Sequence, residues 1–271
     1  MQGYPSNQGY TSNQGNPKYA DQPNYGQYGE TLHNKEQPEG GVNFTQAVRL
    51  GFIRKVYGIV SAQLLISLVF IIAGMFLNLN TISEAATNVL VTLYAISIIA
   101  LFTTTILICC CFRRSFPANY ICLGIFTLAE SFLLFLFTSN FSPDTVIIAL
   151  AMTAAMTIGL TLYAMTTKTD FTYCGALLWM FSLGLIVFWI LFFLMSPFRN
   201  NKGNKWLYIG CCMAGIVIYS IYLVYDTQLM IGKFDNEYSV DDYVFAAINI
   251  YLDIINLFIY ILQLVSAIKG N

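Results

Sequence analysis

The sequence predicts an all-α integral membrane protein: a seven-transmembrane-helix bundle behind a disordered N-terminal tail. Three observations predict it. Of 271 residues, 57% are hydrophobic and only 10% charged, against about 25% charged in a soluble domain. Seven apolar stretches approach the ~20 residues that cross a ~30 Å hydrocarbon layer. The intervals between them are short, and no run of short alternating strands suggests a barrel. The net charge of −1 gives no reason to expect a nucleic-acid partner.

The tail, 1–44, is rich in Gly, Tyr, Asn, Gln and Pro and repeats SNQG at 6–9 and 12–15. Such a segment buries too little apolar surface to offset its ordering entropy, so disorder is expected. Its tyrosines at 4, 10, 19, 25 and 28 could serve adaptor binding or self-association, but the composition favours a flexible solubilising tail. The single histidine, His33, lies there, which argues against histidine catalysis in the bundle.

The membrane domain, 45–271, follows. Its stretches run Val56–Phe76, Val89–Cys111, Tyr120–Phe137, Val146–Met165, Ala176–Met195, Leu207–Met230 and Tyr243–Ile268. The first begins too far from residue 1 for a cleavable signal peptide, so an internal signal anchor is expected. All seven cysteines lie in or beside apolar stretches, a placement unlike a disulfide framework. The run Cys109–Cys110–Cys111 fits a juxtamembrane palmitoylation site, and equally a helix end built of small apolar residues.

Orientation follows from Lys and Arg near the stretch ends. With a cytosolic N-terminus, that side collects Arg49, Arg54, Lys55, Arg113, Arg114, Lys168 and Lys233, against Arg199, Lys202, Lys205 and Lys269 opposite. Seven spans then place the C-terminus across the membrane; a re-entrant seventh stretch would return it to the cytosol. The chain ends AIKGN and names no particular internal membrane.

The last two stretches each carry an acid, Asp226 and Asp253. A charge at such depth costs about 2.5 to 3.5 kcal/mol on the mildest insertion scale and marks an ion or proton path. Asn249, Asp253, Asn256, Tyr260 and Gln263 fall on one face of the seventh helix, and Tyr219, Tyr222 and Asp226 on one face of the sixth. A short connection makes these helices antiparallel neighbours. The acids nevertheless sit at unequal depths, about 9 Å and about 15 to 18 Å from the connecting ends. Two carboxylates in contact titrate as a unit. Ionised, they offer oxygens to a hard divalent cation, to which Asn249 and Asn256 could add, so protons and calcium would compete. Glu130 is a third intramembrane acid, either lining the same path or bonding a neighbouring helix. Thr153, Thr157 and Thr161 suggest a packing face, and Gln63 an inter-helix hydrogen bond.

RLGFIRKVYGIVSAQLLIS (49–67), LTLYAMTTKTDFT (160–172) and IYLVYDTQLMIG with DDYVFAAINIYLDIINLFIYILQLV (221–265) resemble the Bax inhibitor-1 family, and within it the Lifeguard branch. The resemblance covers about 49 to 268. It implies seven helices, pH-controlled passive calcium release across endoplasmic reticulum or Golgi membranes through Asp226 and Asp253, and protection against apoptosis. It further implies transient calcium at that pair and no cofactor beyond the transported ion. Partners would be membrane lipid and, by family resemblance, Bcl-2-type apoptosis regulators, receptors or channels. An arginine latch that closes the path on the aspartates falls by position on Arg113 or Arg114, with Tyr222 among the candidate path-lining residues.

Other classes use similar parts. An intramembrane aspartyl protease also needs two acids on adjacent helices, but its Gly-x-Gly-Asp pattern is missing where Asp253 follows Ile250–Tyr251–Leu252. No catalytic residue is therefore assigned and no enzyme is expected. A proton-coupled transporter would be supported by inverted repeats, of which none stands out. A non-conducting scaffold regulating partner channels or death receptors would leave the acids as hydrogen-bonded structure.

Overall fold

The computed structural model describes residues 39–77, 83–181, 183–184, 202–234 and 237–269. The chain divides into two units, 1–44 and 45–271, and the second holds the bundle. The expected disorder of the tail falls, up to residue 38, outside the described residues. The helices are α1 (Glu39–Met75), α2 (Glu84–Cys110), α3 (Ala118–Thr138), α4 (Pro143–Thr166), α5 (Thr172–Phe181, opening on a 3-10 turn), α6 (Lys202–Ile231) and α7 (Tyr243–Lys269). No strand occurs among the described residues. All of these except α5 are long and apolar enough to cross a membrane. The continuation of the fifth predicted stretch to Met195, and Arg199, lie outside the described residues.

The largest correction concerns α1, which starts at Glu39 rather than Val56. Arg49, Arg54 and Lys55 lower the local hydropathy without breaking the helix, because no proline interrupts 39–75. Its apolar span begins at Gln46. Elsewhere local chemistry marks the ends. Ser83 caps α2, its hydroxyl accepting from the Ala86 amide at 3.4 Å. Pro143 opens α4, where its missing N–H costs nothing. Gly232 ends α6 at φ 66°, a left-handed position where a Cβ would also run into the Arg49 guanidinium.

The ends of α4 and α6 share one face of the bundle, where the Lys233 ammonium donates to the Thr167 carbonyl at 2.5 Å. The end of α2 joins this face through Arg113 and Arg114, and the beginning of the α1 span through Arg49.

α7 is central. It packs on α6, α4 and α3, and 72% of its span is buried, against 11% for α2. The Ile, Leu and Phe side chains around its polar stripe therefore serve neighbouring helices more than lipid. Two apolar clusters flank it. One gathers Phe126, Leu134, Tyr251 and Phe258; the other gathers Phe52, Val56, Leu223, Met230, Ala246 and Ile250. Polar side chains tie α1 to α3 and α7. The Gln63 amide donates to the Thr127 hydroxyl at 3.0 Å, and the Ser67 hydroxyl lies 3.0 Å from Ser131 and 2.8 Å from Tyr251. Gln63 thus makes the inter-helix bond its sequence context suggested.

Candidate functional site

Asp226 sits near the end of α6 and Asp253 in the middle of α7, and their buried carboxyls are neighbours close enough to interact. Each residue is only 5% exposed. Ala246 and Ala247, in the first turns of α7, join Phe52, Val56, Tyr238 and the α6 residues Leu223 and Met230 in one buried cluster. One Asp253 oxygen, Oδ2, is buried with no protein partner. An orphaned buried acceptor is costly, and it is a spare oxygen for a cation.

The connection between α6 and α7 completes the site. The Tyr238 hydroxyl donates to Asp226 Oδ1 at 2.6 Å and accepts from the Asn249 amide at 2.8 Å. Arg49 holds this loop in place. Its Nη2 donates to the Leu229 carbonyl at 2.6 Å, its Nε to Ile231 at 3.2 Å and its Nη1 to Tyr238 at 2.6 Å. Two of these carbonyls belong to the last turn of α6, where a cation also meets the negative end of the helix dipole. Gln228, two residues after Asp226, ties the helix outward: it donates to the Thr169 carbonyl at 2.9 Å and accepts from the Phe171 amide at 2.8 Å. Behind the pair, Tyr219 stacks on Tyr260 with centroids 5.6 Å apart and lies 5.9 Å from Tyr222. Gly215 permits this wall, because a Cβ there would stand 2.5 Å from the Tyr260 ring.

Arg113 and Arg114 do not reach the pair. Arg113 Nη2 donates to Asp242 Oδ2 at 2.8 Å, and Arg114 Nε donates to Asp242 Oδ1 at 2.8 Å. The physical reason is depth: both follow the last turn of α2 at the bundle face, whereas Asp253 lies about 15 Å along α7 from its start. Asp242, immediately before α7, meets them instead. The hydrogen bond from Arg114, foremost among the arginine contacts, holds the Asp242 carboxyl below the usual carboxylate range despite its burial. The Arg113 guanidinium also lies 4.3 Å over the Phe245 ring, and the Lys55 ammonium 3.2 Å over Tyr243. The start of α7 is therefore clasped by cations from α1 and from the α2–α3 connection.

The remaining candidates separate. Asn249 belongs to the site through Tyr238. Asn256 turns back onto its own helix, its amide donating to the Leu252 carbonyl at 2.8 Å. Glu130 faces a different cavity of about 420 Å³, lined by Tyr94, Phe137, Asn140 and Ile259. Tyr238, Asp242 and Arg49 are the site residues that sequence reasoning missed. An aromatic hydroxyl in the short connection between two acid-bearing helices was the available signal for Tyr238. Among the described residues no three His, Cys, Asp or Glu side chains converge as a metal site; the pair alone offers two carboxyls.

Residues 49–271 match the family model described as inhibitor of apoptosis-promoting Bax1. The chain is 34% identical over 243 residues to Protein lifeguard 3 of Mus musculus, covering 87% of this chain and 77% of that protein. It is 35% identical over 221 residues to Protein lifeguard 3 of Homo sapiens, covering 81% and 69%. It is 33% identical over 228 residues to Protein LIFEGUARD 2 of Arabidopsis thaliana, covering 82% and 90%. A bundle of apolar spanning helices around a buried acid pair, matched by that model along nearly its whole length, is a multi-pass membrane protein of the Bax inhibitor-1 family, Lifeguard type.

Proposed function

We propose that this protein is a pH-sensitive calcium leak path of an endoplasmic reticulum or Golgi membrane, with its N-terminus in the cytosol. The observation that carries this reading is the buried Asp226–Asp253 pair, two neighbouring carboxyls of which one keeps an oxygen unpartnered. A proton shared between the two carboxyls would bond α6 to α7 and hold the pair closed to an ion. Losing that proton replaces the bond by like-charge repulsion and exposes carboxylate oxygens suited to a hard divalent cation. Protons and calcium thus compete for one site, and flux rises as pH rises. Tyr238 biases the switch by holding Asp226 in place, and the arginine clasp on Asp242 acts as a latch through the position of α7.

Calcium release of this kind would lower the load of an internal store, which fits the apoptosis-inhibiting role named in the matching family description. The chain acts in this account as a conduit and regulator, not as an enzyme. A scaffold that regulates partner channels or death receptors is favoured by one observation: Asp226 already has hydrogen-bond partners, as a purely structural acid would. Calcium uptake into liposomes holding the purified chain, measured from pH 5 to 8, separates the two. The leak reading expects a pH-dependent flux that Asp226→Asn and Asp253→Asn each flatten. Absence of flux at every pH would leave the scaffold.

A further inference from the structure

We propose that the cysteine run at the end of α2 is S-acylated, with the attached chain lying along the exposed face of that helix. Cys109, Cys110 and Cys111 are all exposed, whereas Cys122 and Cys212 are buried and Cys174 and Cys211 half-buried. Three of the seven thiols are thus accessible, and they are consecutive. α2 is also the helix with the least buried span. Its outward face continues from the cysteines: Ile99, Phe102, Ile106 and Cys110 fall at i, i+3, i+7 and i+11, one helical stripe. The three apolar members are each at least 60% exposed. From Cys110 back to Ile99 is about 16 Å at 1.5 Å per residue, half of a ~30 Å hydrocarbon layer. That is the depth of one leaflet, the reach of a single acyl chain.

The chemistry is thioester exchange. The Cys thiolate attacks the carbonyl carbon of a long-chain acyl thioester donor, the carbon–sulfur bond to the donor's carrier breaks, and a new thioester forms on the protein. The thiol proton ends on the released carrier thiol, and nothing is oxidised or reduced. Arg113 and Arg114 follow after Phe112 and place these thiols at the charged membrane surface beside the clasp on Asp242. The proposal rests on the cytosolic orientation of that face, where acyl-thioester donors and membrane acyltransferases are available, and is independent of calcium conduction.

The test is mass-tag exchange on the full chain expressed in cells. Free thiols are blocked, thioesters are cleaved with hydroxylamine, and each released thiol is tagged. The native chain should shift by one or more tags only with hydroxylamine, and Cys109→Ser/Cys110→Ser/Cys111→Ser should lose every tag. Should the triple variant fold poorly, single serine variants within the run should lower the tagged fraction while Cys122→Ser leaves it unchanged. A native chain with no hydroxylamine-dependent tag, or tags that persist in the triple variant, would overturn the proposal.

Discussion

Replacing Tyr238 by Phe removes one oxygen atom and tests whether the α6–α7 connection is part of the site. The ring stays in its buried cluster with Phe52 and Ala246, so packing is preserved. Two hydrogen bonds go: the 2.6 Å bond given to Asp226 and the 2.8 Å bond accepted from Asn249. A bond to a charge-bearing group contributes about 1.5 to 3 kcal/mol and a neutral one about 1. The Asn249 side chain is half-buried, and water recovers part of the second. The expected loss is about 2 to 3 kcal/mol. For a domain of this size about 2 to 4 °C accompanies each kcal/mol, so thermal unfolding in detergent should fall by roughly 4 to 12 °C. A cycle with Asn249→Ala should show coupling of about 1 kcal/mol, because each variant removes the same amide–hydroxyl bond. A Tyr238→Phe protein that unfolds within 1 °C of the native chain, with no coupling to Asn249, would refute the placement of this hydroxyl on Asp226.

Gly215→Ala should lower the unfolding temperature, since the new methyl meets the Tyr260 ring and overpacking costs about 1 to 3 kcal/mol; Gly210→Ala on the same helix meets nothing within 4 Å and should be neutral. Arg113→Ala/Arg114→Ala should raise basal calcium leak in liposomes at fixed pH by freeing the start of α7, and an unchanged leak would remove the latch role. The Asp242 clasp should also be insensitive to pH in the physiological range. Its carboxyl is held below the ordinary value of about 3.9, so its contribution is fully present above that value and is lost only as pH falls through the depressed one. The unfolding-temperature difference between native and Asp242→Asn protein should stay constant from pH 8 to 5; a difference that decays within that window would contradict the assignment.

Hydropathy made most of the bundle legible, because a lipid-facing helix must be apolar for its whole length. The start of α1 was not, since Arg49 looks like a flanking charge until two carbonyls from the end of α6 and one from the connection after it are seen around it. The acid pair was readable from Asp253 and its one-faced stripe, as a period of 3.6 is a local property. What the stripe could not show is which members act. Asn249 and Asn256 are equivalent in pattern, yet one bonds Tyr238 and the other its own helix. The arginines were singled out by resemblance as partners of Asp226 and Asp253, but the acid they meet was not foreseen. Asp242 is one of two adjacent loop aspartates, and only the fold brings it, rather than Asp253, to the end of α2.

The most direct measurement compares two aspartates that differ in place and not in chemistry. Calcium flux into liposomes would be followed from pH 5 to 8 for the native chain, Asp253→Asn and Asp242→Asn. The account predicts native flux that rises with pH, a flat profile for Asp253→Asn, and a profile for Asp242→Asn that keeps its pH dependence at a raised basal level. A native-like pH profile in Asp253→Asn, or pH dependence lost in Asp242→Asn alone, would contradict control by the buried pair.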